Sequence, residues 1–232
     1  MHISLENKVV IVTGASRGIG LATVISFVEA GATVIASTRN ASEHLSELSK
    51  RAPVLPVIAN AATDKGAQQL VERAAATYGK VDVLVNNIGA EGSSKGSSFL
   101  EITDEQWSEM MDVNFMSVVR ATRAALPALV EQKGTIVNIS SMLTTVPSTA
   151  LIAYSAAKAA VTNVTKSLAE QYGPQGIRIN SVAPGPTRTA MWEGAGHDLN
   201  EIAQQIGVTL DRFAEPNEIA NLVVFLASEH AR

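Results

Sequence analysis

The stretch that most constrains the fold is 8–21, KVVIVTGASRGIGL, in which a short apolar run breaks into a glycine-rich turn. The β-branched run is too short for a buried helix and predicts a central parallel strand. Ser16 and 18–20 then predict a helix start, whose unpaired amides and positive dipole end suit a diphosphate. The spacing Gly14-x-x-x-Gly18-x-Gly20 differs from the G-x-G-x-x-G fingerprint, so an ordinary strand-to-helix turn stays open as an alternative.

Composition excludes several classes of function. The chain has 232 residues, 46% of them hydrophobic, which predicts a single domain across 1–232 with one sizeable core. A net charge of -4 with no basic block argues against nucleic acid as a partner. There are no cysteines, and the four histidines are scattered, so no metal site is predicted. The N-terminus lacks a signal peptide and no apolar run reaches transmembrane length, so we expect a soluble cytoplasmic protein with no membrane partner.

Strands alternate with helices along the whole chain, which predicts parallel βαβ units with right-handed crossovers. The fold class is therefore α/β, a Rossmann-like doubly wound parallel sheet in three layers. Gly/Ser-rich 92–98 and irregular 184–208 are predicted as functional loops. The predicted strands cover 9–12, 33–36, 54–59, 81–85, 135–139 and 177–182, and the predicted helices cover 21–30, 42–50, 64–78 with Asp64 as cap, 103–129 with a capping box at its start, 153–172 and 216–228.

Ligands of such sheets bind at the carboxyl ends of the strands, so the residues that follow each strand decide the function. Here they are glycines, small hydroxyls, amides and arginines, the groups that a dinucleotide needs along its length. They are 14–17, 37–39, Asn60 and Ala61, 86–89, Ser140 and Ser141, and Pro184 and Gly185.

Together with Tyr154-Ser-Ala-Ala-Lys158, these segments resemble the short-chain dehydrogenase/reductase family, in its single-domain branch, and in particular its 3-oxoacyl-thioester-reductase-like members. The resemblance covers nearly the whole chain and keeps the family's order, which makes chance coincidence improbable. The matching segments are 13–20, 86–89, Asn114, 139–141, 154–158 and 184–185.

Tyr154 and Lys158 lie four residues apart at a predicted helix start, so both project from one face. A nearby ammonium favours the phenolate form of the tyrosine, which makes Tyr154 a usable general acid and base. The resemblance implies that Lys158 also holds the nicotinamide ribose, that Ser141 bonds the substrate oxygen, and that Asn114 supports a water-linked proton relay. Ser141 is preferred to Ser140 because a separation of 13 residues from the tyrosine is usual in the family.

Each assignment has a structural alternative. Tyr154 with Lys158 is also compatible with a buried aromatic beside a solvated charge, and Asn114 with a polar residue bonded to a neighbouring helix. The two serines are compatible with a simple strand end.

The cofactor is predicted to be NADP(H) rather than NAD(H). No carboxylate follows the second strand, where NAD-preferring sites place one, and Arg39 with Arg17 could clamp a 2′-phosphate. The predicted cofactor-binding residues are Gly14, Ser16, Arg17, Gly18, Ile19, Gly20, Ser37, Thr38, Arg39, Asn60, Ala61, Asn87, Gly89, Tyr154, Lys158, Pro184, Gly185, Thr187 and Thr189.

Substrate choice is assigned to 89–98, 142–153 and 189–208, whose side chains make a largely apolar wall if they point inward. A small-molecule carbonyl or alcohol is expected, as an uncharged ketone or hydroxy compound or the apolar part of a 3-oxoacyl thioester. Lid closure or subunit packing is the alternative use of these side chains. They are Met142, Leu143, Val146, Leu151, Ile152, Met191 and Trp192.

Two other functions are considered. A non-catalytic NADP-sensing regulator would not need Tyr154 together with Lys158, and an epimerase or dehydratase with tightly held NAD would need an added substrate domain. The resemblance also implies a homotetramer or homodimer packed through 104–129 and 153–172. Chains of this family usually continue into a seventh strand, so we expect that one is missing after 228–232.

Overall fold

A computed structural model describes residues 3–190, 192 and 198–232. Its centre is one six-stranded sheet in which every neighbouring pair of strands is parallel, with the strand order β3-β2-β1-β4-β5-β6. This confirms the doubly wound Rossmann-like α/β fold. The strands are β1 (Val9–Val12), β2 (Thr33–Thr38), β3 (Val54–Ile58), β4 (Val83–Asn86), β5 (Thr135–Ile139) and β6 (Arg178–Val182).

Helices cover both faces of the sheet, because successive side chains of a strand point to opposite sides. Val10 and Val12 contribute to a core with α1 and α8, whereas Val9 and Ile11 contribute to a core with α3 and α5. The helices are α1 (Gly18–Glu29), α2 (Glu43–Ser49), α3 (Asp64–Tyr78), α4 (Asp104–Met111), α5 (Ser117–Gln132), α6 (Ile152–Tyr172), α7 (Leu199–Gln205) and α8 (Pro216–Ala227).

The helix predicted over 103–129 is present as one helical stretch over 104–132, but it is not a uniform α-helix. The capping box at Thr103 is present, but a π-helical turn, Asp112–Met116, separates α4 from α5, and α5 runs on to Gln132. A π turn inserts an extra residue into the helix and is common at functional sites. Here it places Asn114 against the loop after β4, a tertiary contact that helical periodicity does not encode.

Two local predictions also need correction. Thr63, not Asp64, caps α3, because its hydroxyl accepts a hydrogen bond from the amide of Gly66. The segment 184–208, predicted to be irregular, contains the short helix α7, which Asp198 caps through the amide of Asn200.

The C-terminal end of the described chain packs against the edge strand β6. After α8 the residues 228–232 form a short 3-10 turn, and the described residues contain no seventh strand. Arg178 of β6 donates hydrogen bonds to the carbonyls of Leu226, Ala227, Ser228 and Ala231. None of the described helices is both long enough and apolar enough to span a bilayer.

Candidate active site

The loop between β1 and α1 has the geometry that only glycine adopts easily. Gly14 and Gly18 have φ of 64° and 55°. A Cβ on Gly20 would lie 2.2 Å from the carbonyl oxygen of Gly14, so this turn leaves no room for a side chain there. Asn87 fixes the turn, because its Nδ2 donates to the carbonyls of Thr13 and Gly14 at 3.1 and 3.0 Å.

The first turn of α1 is suited to an anion. Arg17 occupies the N-cap position, but no side chain caps the helix. No side chain therefore competes with a ligand for the amides of the first turn of α1. The positive end of the helix dipole adds to their attraction for a diphosphate. The residues present therefore fit the diphosphate of a dinucleotide, with Ser16, Gly18, Ile19 and Gly20 lining the turn.

Two arginines lie in the loops that follow β1 and β2. Arg17 and Arg39 are exposed, and within the described part of the chain neither is in an ion pair, which leaves both guanidinium groups available to a phosphate. Ser37 and Thr38 are buried below them, and the carbonyl of Ser37 accepts a bond from Ala15.

The neighbouring end of β3 holds Asn60 and Ala61. The Oδ1 of Asn60 accepts a hydrogen bond from the amide of Ala62 at 3.2 Å, which fixes the side chain in a local turn. An amide oxygen has two lone pairs, so Asn60 keeps acceptor capacity for a ligand.

Lys158 lies buried beneath Tyr154 on α6. Lys158 is only 2% exposed, and its Nζ donates a hydrogen bond to the carbonyl of Ile139 at 2.9 Å. The same nitrogen lies 5.8 Å from the centre of the Tyr154 ring. Burial lowers the pKa of Lys158 from 10.5 to about 8, because removal from water penalises the ammonium.

The pKa of Tyr154 is raised and not lowered, in contrast to the expectation from the neighbouring Lys158. The pKa of Tyr154 is raised, first by burial, and to a lesser degree by the negative charge of Glu91. A hydrogen bond with Ser141 opposes this shift. Desolvation therefore outweighs the Ser141 hydrogen bond, and Tyr154 is a neutral phenol at physiological pH.

The two serines after β5 have different surroundings. The Ser141 hydroxyl lies close enough to that of Tyr154 to lower the tyrosine pKa, and its Oγ accepts from the amide of Leu143 at 3.2 Å. Ser140 points the other way, with its Oγ 3.2 Å from the carbonyl of Lys158 and 2.6 Å from the hydroxyl of Thr162. The structure brings Ser141, and not Ser140, to the tyrosine.

Asn114 lies in the π turn and binds the loop after β4 through its side chain. Its Oδ1 accepts from the amide of Ala90 at 3.0 Å, and its Nδ2 donates to the carbonyls of Ala90 and Met110 at 2.9 and 3.1 Å. A Cβ on Gly89 would lie 3.1 Å from Lys158 Nζ and 3.2 Å from Asn114 Oδ1. A side chain on Gly89 would therefore crowd both of these polar groups.

The segment after β6 closes the other side of the cleft. The carbonyl of Pro184 accepts from the amide of Met142 at 2.9 Å, and the buried Thr187 bonds the carbonyl of Gly185 at 3.0 Å. Thr189 reaches the glycine loop, because a Cβ on Gly18 would lie 3.2 Å from its methyl group. The segment after β6 therefore lies against the glycine loop after β1.

The predicted apolar wall is only partly formed. Met142, Leu143, Leu151 and Ile152 are half-buried, whereas Val146 is 59% exposed and turned to solvent. Trp192 packs edge-on against Phe213 with ring centres 4.8 Å apart. Met191 lies outside the described residues.

Sequence reasoning missed two charged residues at this wall. Glu91 and Lys95 form an ion pair at 2.6 Å in the loop after β4, within the stretch 89–98 that was assigned to substrate choice. The sequence feature that could have indicated this ion pair is the acidic residue two positions after Gly89. No group of three or more potential metal ligands occurs among 3–190, 192 and 198–232.

The sheet order, the glycine turn and the serine–tyrosine–lysine cluster define a dinucleotide-binding oxidoreductase. The chain belongs to the short-chain dehydrogenase family, whose sequence profile matches residues 8–200. It is therefore a family oxidoreductase acting on CH–OH and C=O groups.

Named relatives agree with this class. The chain is 35% identical to the 3-oxoacyl-[acyl-carrier-protein] reductase of Thermotoga maritima, over 98% of this chain and 93% of the relative. It is 36% identical to a 3alpha-hydroxysteroid dehydrogenase of Mediterraneibacter gnavus, over 100% of this chain and 94% of the relative.

A solved structure is equally similar. The NADPH-bound structure of a short chain oxidoreductase from Pseudomonas aeruginosa, described as containing an atypical catalytic center, has a TM-score of 0.91 and 33% identity, over 99% of this chain and 93% of that chain.

Proposed function

We propose that this protein is an NADP(H)-dependent oxidoreductase that interconverts a ketone and a secondary alcohol, with Tyr154 as general acid and base. The observation that supports this best is the contact of Ser141 with the Tyr154 hydroxyl directly above the buried Lys158. Such a cluster offers a proton donor, a hydrogen-bond donor and a positive charge at one point.

Bound NADPH supplies the hydride for carbonyl reduction, and NADP+ accepts it in the reverse direction. Tyr154, neutral at physiological pH, donates its proton to the carbonyl oxygen as negative charge develops there. When substrate is bound, the Ser141 hydroxyl would donate its proton to the same oxygen instead of to the tyrosine, while its Oγ keeps the hydrogen bond from the amide of Leu143.

Lys158 stabilises the tyrosinate that proton donation leaves behind. One Nζ proton is used by Ile139, and the remaining two are available to a ribose hydroxyl and to a water near Asn114. Asn114 would position that water, because its Oδ1 and Lys158 Nζ both lie near the point that a Cβ on Gly89 would occupy. The chain can thus return a proton to Tyr154 after each turnover.

NADP(H) is proposed over NAD(H) because Arg17 and Arg39 are exposed and unpaired within the described residues. The NADPH found in the related Pseudomonas structure supports this choice. The Arg39→Asp variant should weaken NADPH far more than NADH in fluorescence titrations, whereas Arg51→Asp, an exposed control, should change neither. An unchanged preference in Arg39→Asp would remove this residue from the cofactor site.

The proposed substrate is an uncharged ketone or hydroxy compound with an apolar part, or a 3-oxoacyl thioester. The half-buried apolar side chains around Tyr154 support the first, and the similarity to 3-oxoacyl-[acyl-carrier-protein] reductases and a 3alpha-hydroxysteroid dehydrogenase supports both. A homotetramer or homodimer packed through 104–129 and 153–172 stays a prediction.

The function is tested by NADPH and NADH consumption on a panel with a 3-oxoacyl thioester, cyclic ketones, a diketone and an aromatic aldehyde. Turnover with NADPH on one chemical type, lost in Tyr154→Phe, is the expected result. Tight NADPH binding without turnover on any of them would favour the non-catalytic NADP-sensing regulator.

A further inference from the structure

Glu91 is an acidic side chain held close to the proposed reaction centre. It follows Ala90, whose amide and carbonyl are both bonded by Asn114, so the backbone that carries it is fixed. Its side chain is only 13% exposed. An acid this far from solvent needs a stabilising partner or a ligand.

Lys95 is that partner, and it also contacts Trp192 in the segment after β6. Its Nζ lies 2.6 Å from Glu91 Oε2 and 5.8 Å from the centre of the Trp192 ring. Trp192 in turn packs against Phe213. This Glu91–Lys95–Trp192 bridge joins the loop after β4 to the segment after β6.

The loop that carries the bridge is tied down on its far side as well. The amide of Gly96 donates to the carbonyl of Ala150 at 2.8 Å, in the segment that leads into α6. A Cβ on Gly92 would lie 2.0 Å from Met110 Cε, so the loop packs closely against α4. Glu91 therefore lies in a loop whose backbone is packed against α4 and bonded to the segment before α6.

The backbone that carries Glu91 reaches the proposed reaction centre, because a Cβ on Gly89, two residues earlier, would lie 3.1 Å from Lys158 Nζ. The charge of Glu91 accordingly raises the pKa of Tyr154. Lys95 binds Oε2, and among the described residues no donor is bonded to Oε1. One carboxylate oxygen therefore keeps its acceptor capacity beside the proposed position of the substrate.

We propose that Glu91 is a specificity-determining residue, whose free carboxylate oxygen accepts a hydrogen bond from a hydroxyl next to the substrate carbonyl and whose charge excludes anionic substrates. This inference rests on the proposed function. It narrows the substrate class to hydroxyketones and the diols that they form on reduction.

The physical basis is the low exposure of the carboxylate. A hydrogen bond from a neutral hydroxyl to a shielded carboxylate is stronger than one between neutral groups. A site built for such a bond discriminates strongly against an analogue without the hydroxyl, because the acceptor is then left unpaired. A substrate carboxylate at the same place would meet like charge.

The test compares cyclohexanone, 2-hydroxycyclohexanone and the α-keto acid cyclohexyl(oxo)acetate in the wild type, Glu91→Gln and the control Glu109→Gln. Glu109 is an exposed carboxylate bonded to the same loop through Ser93. We expect the wild type to prefer the hydroxyketone, and Glu91→Gln to reduce that preference in kcat/KM by about tenfold and to raise the relative rate on the carboxylate. Glu109→Gln should keep the wild-type pattern.

A second readout does not require turnover. The tyrosinate absorbance of each protein minus that of its Tyr154→Phe partner reports the titration of Tyr154, which should shift to lower pH in Glu91→Gln. Turnover with unchanged hydroxyl preference in Glu91→Gln would overturn the role of Glu91. A shifted titration without turnover of any ketone, here or in the wider panel, would instead overturn the proposed function, and the inference with it.

Discussion

Replacing the buried Lys158 by methionine should make the protein more stable at neutral pH while it abolishes activity. Burial lowers the pKa of Lys158 from 10.5 to about 8. At ~1.4 kcal/mol per pKa unit, this difference corresponds to about 3 kcal/mol of stability lost at pH 7. The bond to the Ile139 carbonyl offsets about 1 kcal/mol, so Lys158→Met should gain about 2 kcal/mol.

The sign of the pH dependence follows from proton binding. Between about pH 8 and pH 10.5 the folded protein holds fewer protons at Lys158 than the unfolded chain, so the wild type gains stability as the pH rises through this range. Below it the penalty is fully present. The advantage of Lys158→Met should therefore fall from about 2 kcal/mol at pH 7 to a few tenths near pH 9.5.

Urea unfolding at these two pH values, at one protein concentration and without cofactor, measures the difference. Lys166→Met is the matched control, because Lys166 is exposed on the same helix, and it should stay within about 0.5 kcal/mol of the wild type. The reasoning is refuted if Lys158→Met is less stable than the wild type at pH 7, or if its advantage does not change with pH.

Two further substitutions test the packing around the site. Gly89→Ala places a methyl group 3.1 Å from Lys158 Nζ and 3.2 Å from Asn114 Oδ1, so kcat/KM should fall by about tenfold. Gly173→Ala, with open space around it, should keep wild-type rates. Arg178→Met leaves the last carbonyls of α8 without their donor, and thermal unfolding should show a loss of about 2 kcal/mol, with a smaller loss in Arg178→Lys.

The sheet could be predicted from sequence because its signals are local. The run 9–12 is apolar on both faces, which indicates a buried parallel strand. Gly14 follows it at a position where the chain turns with positive φ, which favours glycine. The apolar run and the glycine together therefore predict both the strand and the turn. Ligands bind at the carboxyl ends of the strands, and this rule predicts that distant residues share one cleft. The structure brings Thr189, which follows β6, against Gly18 in the loop after β1.

The features that could not be predicted from the sequence depend on tertiary contacts. The π turn at Asp112–Met116 is shaped by bonds from Asn114 to the loop after β4, and no periodicity within the helix indicates them. Glu91 was overlooked because a single acid in a Gly/Ser loop looks like a solvated charge until its exposure is known.

The pKa of Tyr154 shows why spacing alone misjudges an electrostatic site. A tyrosine and a lysine four residues apart suggest a stabilised phenolate, but both groups lie in an environment that penalises charge, and the tyrosine also lies near Glu91. The result is a phenol that already carries the proton that carbonyl reduction consumes. In the proposed reaction, neutral pH therefore favours Tyr154 as an acid, and alcohol oxidation must first remove that proton against both burial and the Glu91 charge.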